Sequence, residues 1–253
     1  ITDSRSIQSF NPYGVANWNR GDAMKLGVLT ESGGETRVAI VPNSVPKLAK
    51  LGFEILVESG SGNSAHHSDS EYEAKGAKIA TREEVMGSNL LICIGPPDFT
   101  SLSDGQIVAC VADPFRHPER VRQAMDGKVT LMSMDMIPRR LSRAQAMDVN
   151  SSQDNLAGYK AVLMGAAHVP KGIPMMTTSA GTVRPAKFVI MGSGVAGLQA
   201  IATAKRLGAI VYASDVRKST AEQIESVGGR FIEVEGMEIV SWSMAPWLAS
   251  HIV

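Results

Sequence analysis

The chain has 253 residues, 44% hydrophobic and 20% charged, with a formal net charge of zero; this is an ordinary globular composition, long enough for one large domain or two small ones. The balanced charge and the lack of a Lys/Arg block argue against nucleic acid or an anionic membrane surface as a partner. The two cysteines, Cys93 and Cys110, sit in apolar runs and not in a CxxC, which reads as two buried reduced thiols and not as a disulfide or a metal site.

Residues 1–23 are polar, lack periodicity and contain no apolar run of signal-peptide type. They read as a leader, a tag or mistranslated upstream sequence, expected to be disordered. From Met24 onward short apolar runs alternate with amphipathic stretches. Strands are expected over 25–29, 54–57, near Ile79, and over 90–94, 107–111 and 129–132. Helices are expected over 45–51, 69–75 and 118–125, with Gly52 and Gly76 closing the first two. Thr81-Arg82-Glu83-Glu84 has the spacing of a capping box and starts another helix. This alternation predicts a parallel sheet covered on both faces. A longer helical region over 144–167 reads as a bridge, and the Gly/Pro-rich segment 170–185 as a loop-rich boundary. The chain thus divides into an N-terminal α/β domain over 24–143, a linking helix region over 144–169 and a second domain over 170–253. The most apolar stretch, 188–204, is interrupted by Gly192, Ser193, Gly194, Gly197 and Gln199, which makes it a poor membrane span. The methionines Met132, Met134, Met136, Met175 and Met176 read as core filler. His66-His67 reads as an exposed loop pair and not as a metal site, because adjacent side chains diverge and no third ligand is near in sequence.

The informative segment is 188–215. An apolar strand, 187–191, runs directly into Gly192-Ser193-Gly194-Val195-Ala196-Gly197, then a helix over 198–207 closed by Gly208, then a second apolar strand over 209–213 with Asp215 at its end. Gly192 permits the tight turn. Gly194, with no Cβ, lets the backbone approach a pyrophosphate, and Gly197 lets the helix pack close to the sheet. The helix N-terminus, at Val195 and Ala196, offers N–H groups and a positive dipole end to phosphates. Asp215 can accept the ribose hydroxyls of an adenosine and repels a 2′-phosphate, so NAD is favoured over NADP; Arg217 is placed to soften that rejection. A glycine-rich turn that binds nothing is the plainer alternative. The strand, the helix and the acid, all at the required distances, favour the dinucleotide. Ser219-Thr220-Ala221-Glu222 reads as a second capping box, its helix ending at Gly228-Gly229 before a third strand over 230–234. Beyond that, 236–253 shows no further alternation, so only the first half of a six-stranded dinucleotide fold is legible.

Three segments together, RLSRAQAMDVNSSQDNLAGY at 140–159, SAGTVRPAKFVIMGSGVAGLQAIATAKRLGA and SDVRKSTAEQIESVGGRF, resemble the NAD(H)-binding domain I, or alpha subunit, of the proton-translocating NAD(P) transhydrogenases. The resemblance covers the chain from Met24 to about Glu235. It implies two parallel-sheet, Rossmann-like α/β subdomains with a cleft between them, the second incomplete here. It also implies a homodimer that binds NADH and passes a hydride to NADP⁺ on a separate domain III, coupled to proton movement by a membrane domain II. The location implied is peripheral, on a cytoplasmic or mitochondrial-matrix face. The family residues at the nicotinamide end match Arg140, Gln145, Asp148 and Ser151. Arg139-Arg140 reads as a one-residue insertion, so the matched arginine is Arg140 or its neighbour. Hydride transfer needs orientation and no protein nucleophile, and these four side chains supply donors and acceptors for a carboxamide and a ribose. Gln145, Asp148 and Ser151 recur at three-residue spacing, which a continuous helix would place on one side; helix caps are the plain alternative.

Two other readings remain. An alanine dehydrogenase-like oxidoreductase would use Arg37 for a substrate carboxylate. It also needs a lysine where the chain reads Cys93-Ile94-Gly95-Pro96-Pro97, and a histidine that is absent between Gly95 and Arg116; His117, before Pro118, reads as a surface helix start. An NAD-binding fragment without activity of its own is the other, since a parallel sheet cut at its switch point exposes an edge.

Overall fold

A computed structural model of the chain describes residues 24–138 and 141–233. The chain divides into two compact units, one ending at Asp148 and the other beginning at Val149. The readings made for 1–23, for Arg140 and its neighbour Arg139, and for 236–253 lie outside the described residues.

The first unit runs β1 (Met24–Val28), α1 (Val45–Ala49), β2 (Phe53–Glu58), α2 (Asp69–Ala74), β3 (Lys78–Ala80), α3 (Arg82–Met86), β4 (Leu90–Ile92), β5 (Ile107–Cys110), α4 (Pro118–Asp126) and β6 (Thr130–Ser133). Its six strands are all parallel, in the order β3-β2-β1-β4-β5-β6. Consecutive residues of one strand are buried on opposite faces: Ile55 and Val57 join Leu26, Val28, Val45 and Tyr72 in one core, while Leu56 joins Val85, Leu91, Phe99 and Val108 in the other. Burial on both faces is why these strands read as continuous apolar runs. The Thr81 capping box is formed: Thr81 N–H donates to Glu84 Oε2 (2.9 Å) and Glu84 N–H to Thr81 Oγ1 (3.3 Å). Gly52 and Gly76 take φ of 92° and 95° after α1 and α2, a region open to glycine at no steric cost. Cys93 and Cys110 are free and buried, and burial pushes both thiols up to about 12, so neither is a ready nucleophile.

The second unit runs α5 (Val149–His168), β7 (Met176–Thr178), β8 (Gly181–Val183), β9 (Lys187–Met191), α6 (Val195–Arg206), β10 (Ile210–Ser214), α7 (Ala221–Ser226) and β11 (Arg230–Phe231). Strands β11-β10-β9 form a parallel sheet in which Phe188 lies opposite Val211 and Ile190 opposite Ala213. Val162 of α5, Ile201 and Ala204 of α6, Val211 and Ile224 make its core.

Four expectations are corrected. The long helix begins at Val149 and not at 144, because Gln145–Met147 form a separate 3₁₀ turn and Asp148 takes ψ 88°, which breaks helical continuation. The segment 170–185 contains an antiparallel hairpin, β7 with β8, whose residues are all exposed. The box at Ser219–Glu222 does not form: α7 starts one residue late, at Ala221, and the Thr220 hydroxyl donates backward to Arg217 O (2.8 Å) instead. Four of the five methionines read as core filler are exposed, Met132 at 52%, Met136 at 45%, Met175 at 65% and Met176 at 42%, while Met134 is half-buried.

Helices α5 and α6 cross at Gly158, which is buried; a Cβ there would stand 2.0 Å from Ala196 O, a backbone atom that cannot turn aside. Gly158→Ala must therefore push α5 off the first turn of α6. Overpacking of this kind costs about 2 kcal/mol, expected as a fall of roughly 10 °C in the melting temperature of the second unit. A melt unchanged from wild type would show that the two helices part freely.

Candidate functional site

The connection from β9 to α6 is built from backbone. Gly192 leaves the strand at φ 92° and its N–H donates to Ser214 O (2.8 Å), so the turn continues the pairing with β10. Gly197, in the first turn of α6, lies against that turn: a Cβ there would stand 1.9 Å from Gly192 O. These two glycines are demanded by the fold. Gly194 is different. It is the N-cap of α6 at φ −71° and ψ −166°, a conformation open to any residue, and a Cβ on it would meet nothing within 4 Å. No side chain caps the helix, so the N–H groups of its first turn, from Val195 and Ala196 onward, face an open mouth. A helix of twelve residues presents its positive dipole end there.

Asp215 follows β10, and its side chain is only 6% exposed. Its Oδ2 accepts from Ser193 N–H (2.8 Å) and Ser193 Oγ (2.9 Å); its Oδ1 accepts from Arg217 N–H (2.8 Å) and Arg217 Nε (3.0 Å). Burial works to raise its pKa. The Arg217 guanidinium and the Ser193 and Arg217 backbone N–H groups outweigh it and hold the carboxyl well below the usual range. With a folded-state pKa below the unfolded value near 3.9, the stabilisation from these bonds is complete above about pH 4 and lost only as pH falls through the depressed value. Ser193, at an unconstrained position of the glycine motif, is the buried hinge of this network; that role and that of Gly158 carry no signal in the motif itself.

The first unit holds the same contact in another setting. Glu58, at the end of β2, accepts from Thr30 N–H (2.7 Å) just past β1 and pairs with the exposed Arg82 (3.0 Å). Its other strand ends are tied likewise. Glu31 accepts from Ile94 N–H (2.6 Å) and Gly95 N–H (3.0 Å), and Asp135 from Ala112 N–H (3.2 Å) and Asp113 N–H (3.1 Å). A pocket at these carboxyl ends is lined by Glu31, Gly33, Gly34, Ile94, Val111 and Arg120. The helix that follows β1 does not start beside it: α1 is five residues and begins at Val45, far past Val28, and the nine-residue α4 reaches the pocket only through the Arg120 side chain, which donates to Ala112 O (2.8 Å). Arg37 donates Nε to Glu35 Oε1 (2.8 Å), and that guanidinium brings Glu35 down to about 2. His117 stands at the N-cap position of α4, at the surface, with its Nδ1 3.0 Å from Glu119 Oε1 and not bonded to the helix backbone. His66 closes a 3₁₀ turn at φ 61°, and His67 packs edge-on against Tyr72. Among the described residues no group of three His, Cys, Asp or Glu is placed to hold a metal ion, and no helix is long and apolar enough to cross a membrane.

Of the residues expected at the site, Gly192, Gly194, Val195, Ala196, Gly197, Asp215 and Arg217 come together at the carboxyl end of β9 and β10. Gln145 is exposed on its 3₁₀ turn, Asp148 is half-buried after it, and Ser151 is half-buried in the first turn of α5. The break at Asp148 means that their three-residue spacing is not the repeat of one continuous helix. Ser151 belongs to the helix that crosses α6 at Gly158, and Asn155 of that helix donates Nδ2 to Gln199 Oε1 (3.3 Å).

Comparison with known proteins matches residues 27–157 to the family model of the alanine dehydrogenase/PNT N-terminal domain and residues 161–249 to that of the C-terminal domain. An NAD(P) transhydrogenase subunit alpha chain of Rhodospirillum rubrum is 44% identical over 223 residues, covering 84% of this chain and 58% of that protein. The alanine dehydrogenase of Mycobacterium tuberculosis is 27% identical over 256 residues, covering 90% of this chain and 68% of the enzyme. The crystal structure of transhydrogenase from Sinorhizobium meliloti superposes with a TM-score of 0.80 at 42% identity, over 84% of this chain and 62% of that one. The chain thus spans about three fifths of the length of these transhydrogenase relatives.

The glycines should separate in a thermal melt. Gly197→Ala drives a Cβ into a carbonyl and is expected to cost about 2 kcal/mol or more. Gly194→Ala meets open space and gives up only a mediocre cap for a worse one, less than about 1 kcal/mol. Equal losses would mean that Gly194 is held by the fold after all.

Proposed function

The chain belongs to the alanine dehydrogenase/PNT family, and we propose that it is the NAD(H)-binding component of a proton-translocating NAD(P) transhydrogenase, donating a hydride from NADH to NADP⁺ on a partner domain. Gly194 is the observation that carries this reading. It is a glycine that neither its backbone angles nor its protein neighbours require, at the uncapped N-terminus of α6. A bound pyrophosphate accounts for it: the backbone must be approached closely there, and the first-turn N–H groups then gain their acceptors.

The residues take the following tasks. Gly192, Gly194 and Gly197 shape the turn, with Val195 and Ala196 offering their N–H groups to the pyrophosphate. Asp215 accepts the adenosine ribose hydroxyls, and its fixed negative charge disfavours a 2′-phosphate and so NADP. Arg140, Gln145, Asp148 and Ser151 orient the nicotinamide carboxamide and ribose. When bound, NADH supplies the hydride; the protein supplies position and no nucleophile. The partners are an NADP-binding domain III and a proton-translocating membrane domain II, which holds the chain at the cytoplasmic or matrix face. Pairing with a second copy is supported by apolar side chains left exposed in the second unit, among them Leu156 and Tyr159 on α5 and Met175 beside the hairpin.

Amino-acid oxidation is disfavoured by the first unit. Arg37 is paired with Glu35, and Gly95, whose N–H is taken by Glu31, stands in the segment where a lysine would be needed.

Nucleotide fluorescence titration tests the reading. NADH is expected to bind at least about tenfold tighter than NADPH, with no alanine-dependent reduction of NAD⁺. Gly194→Ala should lose about tenfold or more in NADH affinity while its melt stays close to wild type. NADH should reduce NADP⁺ once isolated domain III is added. Failure to bind NADH, or turnover of alanine, sinks the proposal; binding without transfer would limit the chain to nucleotide binding.

A further inference from the structure

We infer that Arg217 is a latch on the nucleotide acceptor: its guanidinium occupies Asp215 in the free protein, must swing away to admit the adenosine ribose, and thereby sets both NADH affinity and the margin against NADPH. The inference rests on the nucleotide reading of this site and deepens it.

The geometry is one of saturation. A carboxylate has about four lone-pair positions. Asp215 already receives five donors: Ser193 N–H, Ser193 Oγ–H, Arg217 N–H, Arg217 Nε–H and, at 3.2 Å, Arg217 Nη2–H. A ribose diol brings two more O–H donors, and no acceptor site is open to them. Something must leave, and the donors differ in what they can do. Ser193 is 1% exposed and its N–H belongs to the glycine turn. The Arg217 backbone is pinned, its carbonyl accepting from Thr220 N–H (3.0 Å) and Thr220 Oγ (2.8 Å). The guanidinium, by contrast, sits on a rotatable stem with 56% of the side chain exposed, over an acid that is 6% exposed. It covers the solvent side of the carboxylate, the side from which a diol arrives.

Once displaced, the guanidinium remains tethered two residues from the acid with its charge intact. Beside a free 2′-hydroxyl it gains little. Beside a 2′-phosphate it gains a charge-assisted hydrogen bond, in the two-pronged geometry that suits arginine. Arg217 thus hinders NADH and shelters NADPH, so the discrimination exerted by Asp215 is smaller than the carboxylate by itself would give.

The test uses the full chain with NADH and NADPH as probes, in wild type, Arg217→Ala and Arg217→Lys, each checked for folding by circular dichroism. An exposed ion pair contributes up to about 1 kcal/mol, so freeing the carboxylate should tighten NADH about threefold to fivefold in Arg217→Ala. NADPH should not tighten, and the NADH:NADPH affinity ratio should widen. Arg217→Lys keeps the charge and loses the fork; NADH should tighten, with a smaller widening of the ratio than in Arg217→Ala. Weaker NADH binding in Arg217→Ala would make the guanidinium a nucleotide ligand and overturn the latch. NADH binding with affinity and ratio both unchanged overturns the latch while leaving the nucleotide reading intact. Absence of NADH binding in wild type and both variants overturns the nucleotide reading, and the latch with it.

Discussion

The second unit depends on two places where backbone meets backbone too closely for any side chain. Gly197 lies against the carbonyl of Gly192, and Gly158 lies against the carbonyl of Ala196. The first closes the turn onto the helix, so that the N-terminus of α6 begins immediately past the end of β9. The second clamps α5 across that same first turn. Between them they fix the one part of α6 whose N–H groups have no side-chain cap. A rigid, uncapped helix start is what an anion needs in order to be received without reorganisation of the protein. Of the three glycines of the turn, Gly194 is the one that neither its backbone angles nor its neighbours require, and on the proposed reading a pyrophosphate is what requires it.

The comparison between the units shows which features discriminate. Each has an acid at the end of its second strand that accepts a backbone N–H from the segment after the first strand and pairs with an exposed arginine: Glu58 with Thr30 and Arg82, Asp215 with Ser193 and Arg217. The acid–amide contact is therefore a way of tying adjacent strand ends of a parallel sheet, and is not in itself a nucleotide signature. The first unit even has the complete doubly wound strand order, β3-β2-β1-β4-β5-β6. Among its described residues, no glycine turn delivers a long helix directly to a strand end. Its available strand-end amides at Ile94, Gly95, Ala112 and Asp113 are bonded to Glu31 and Asp135. Topology positions a crevice; the local chemistry of one turn decides whether phosphate is accepted there.

Legibility in the sequence follows the range of the interactions. A strand buried on both faces, such as 54–57, announces itself as an apolar run, and the Thr81 box and the positive-φ glycines Gly52 and Gly76 are set by contacts within a few residues. The glycine turn is legible for the same reason: strand, turn, helix and acid lie within 28 consecutive positions. Gly158 is not, because its need comes from Ala196, 38 positions away, and nothing near it in the chain distinguishes a clamp from another small helical residue. The start of α5 is obscured because good helix formers, Ala144, Gln145, Ala146 and Met147, run up to Asp148, while the break is made by the ψ of Asp148. The Ser219 box has the right letters, but Thr220 bonds back to Arg217, and tertiary context overrides a four-residue pattern. The exposure of Met132 is likewise illegible: it lies on the edge strand β6, and neither edge position nor what covers each face is encoded in the strand itself.

Arg217 shows why a fingerprint acid cannot be evaluated from its identity. By the motif, Asp215 is a free acceptor waiting for a ribose. In the folded chain it is an occupied one, with Ser193 and Arg217 already donating to both of its oxygens. The affinity such a site delivers is the difference between the bonds that the diol makes and the bonds that it displaces. Ser193 and the backbone of Arg217 hold the carboxylate in place without blocking its outer side, and so lower the cost of orienting it. The guanidinium holds the same carboxylate on the side where the ligand must enter, and so subtracts from binding. Preorganisation and competition thus reach one side chain from two directions, and the exposed direction is the one a single substitution can alter without disturbing the turn.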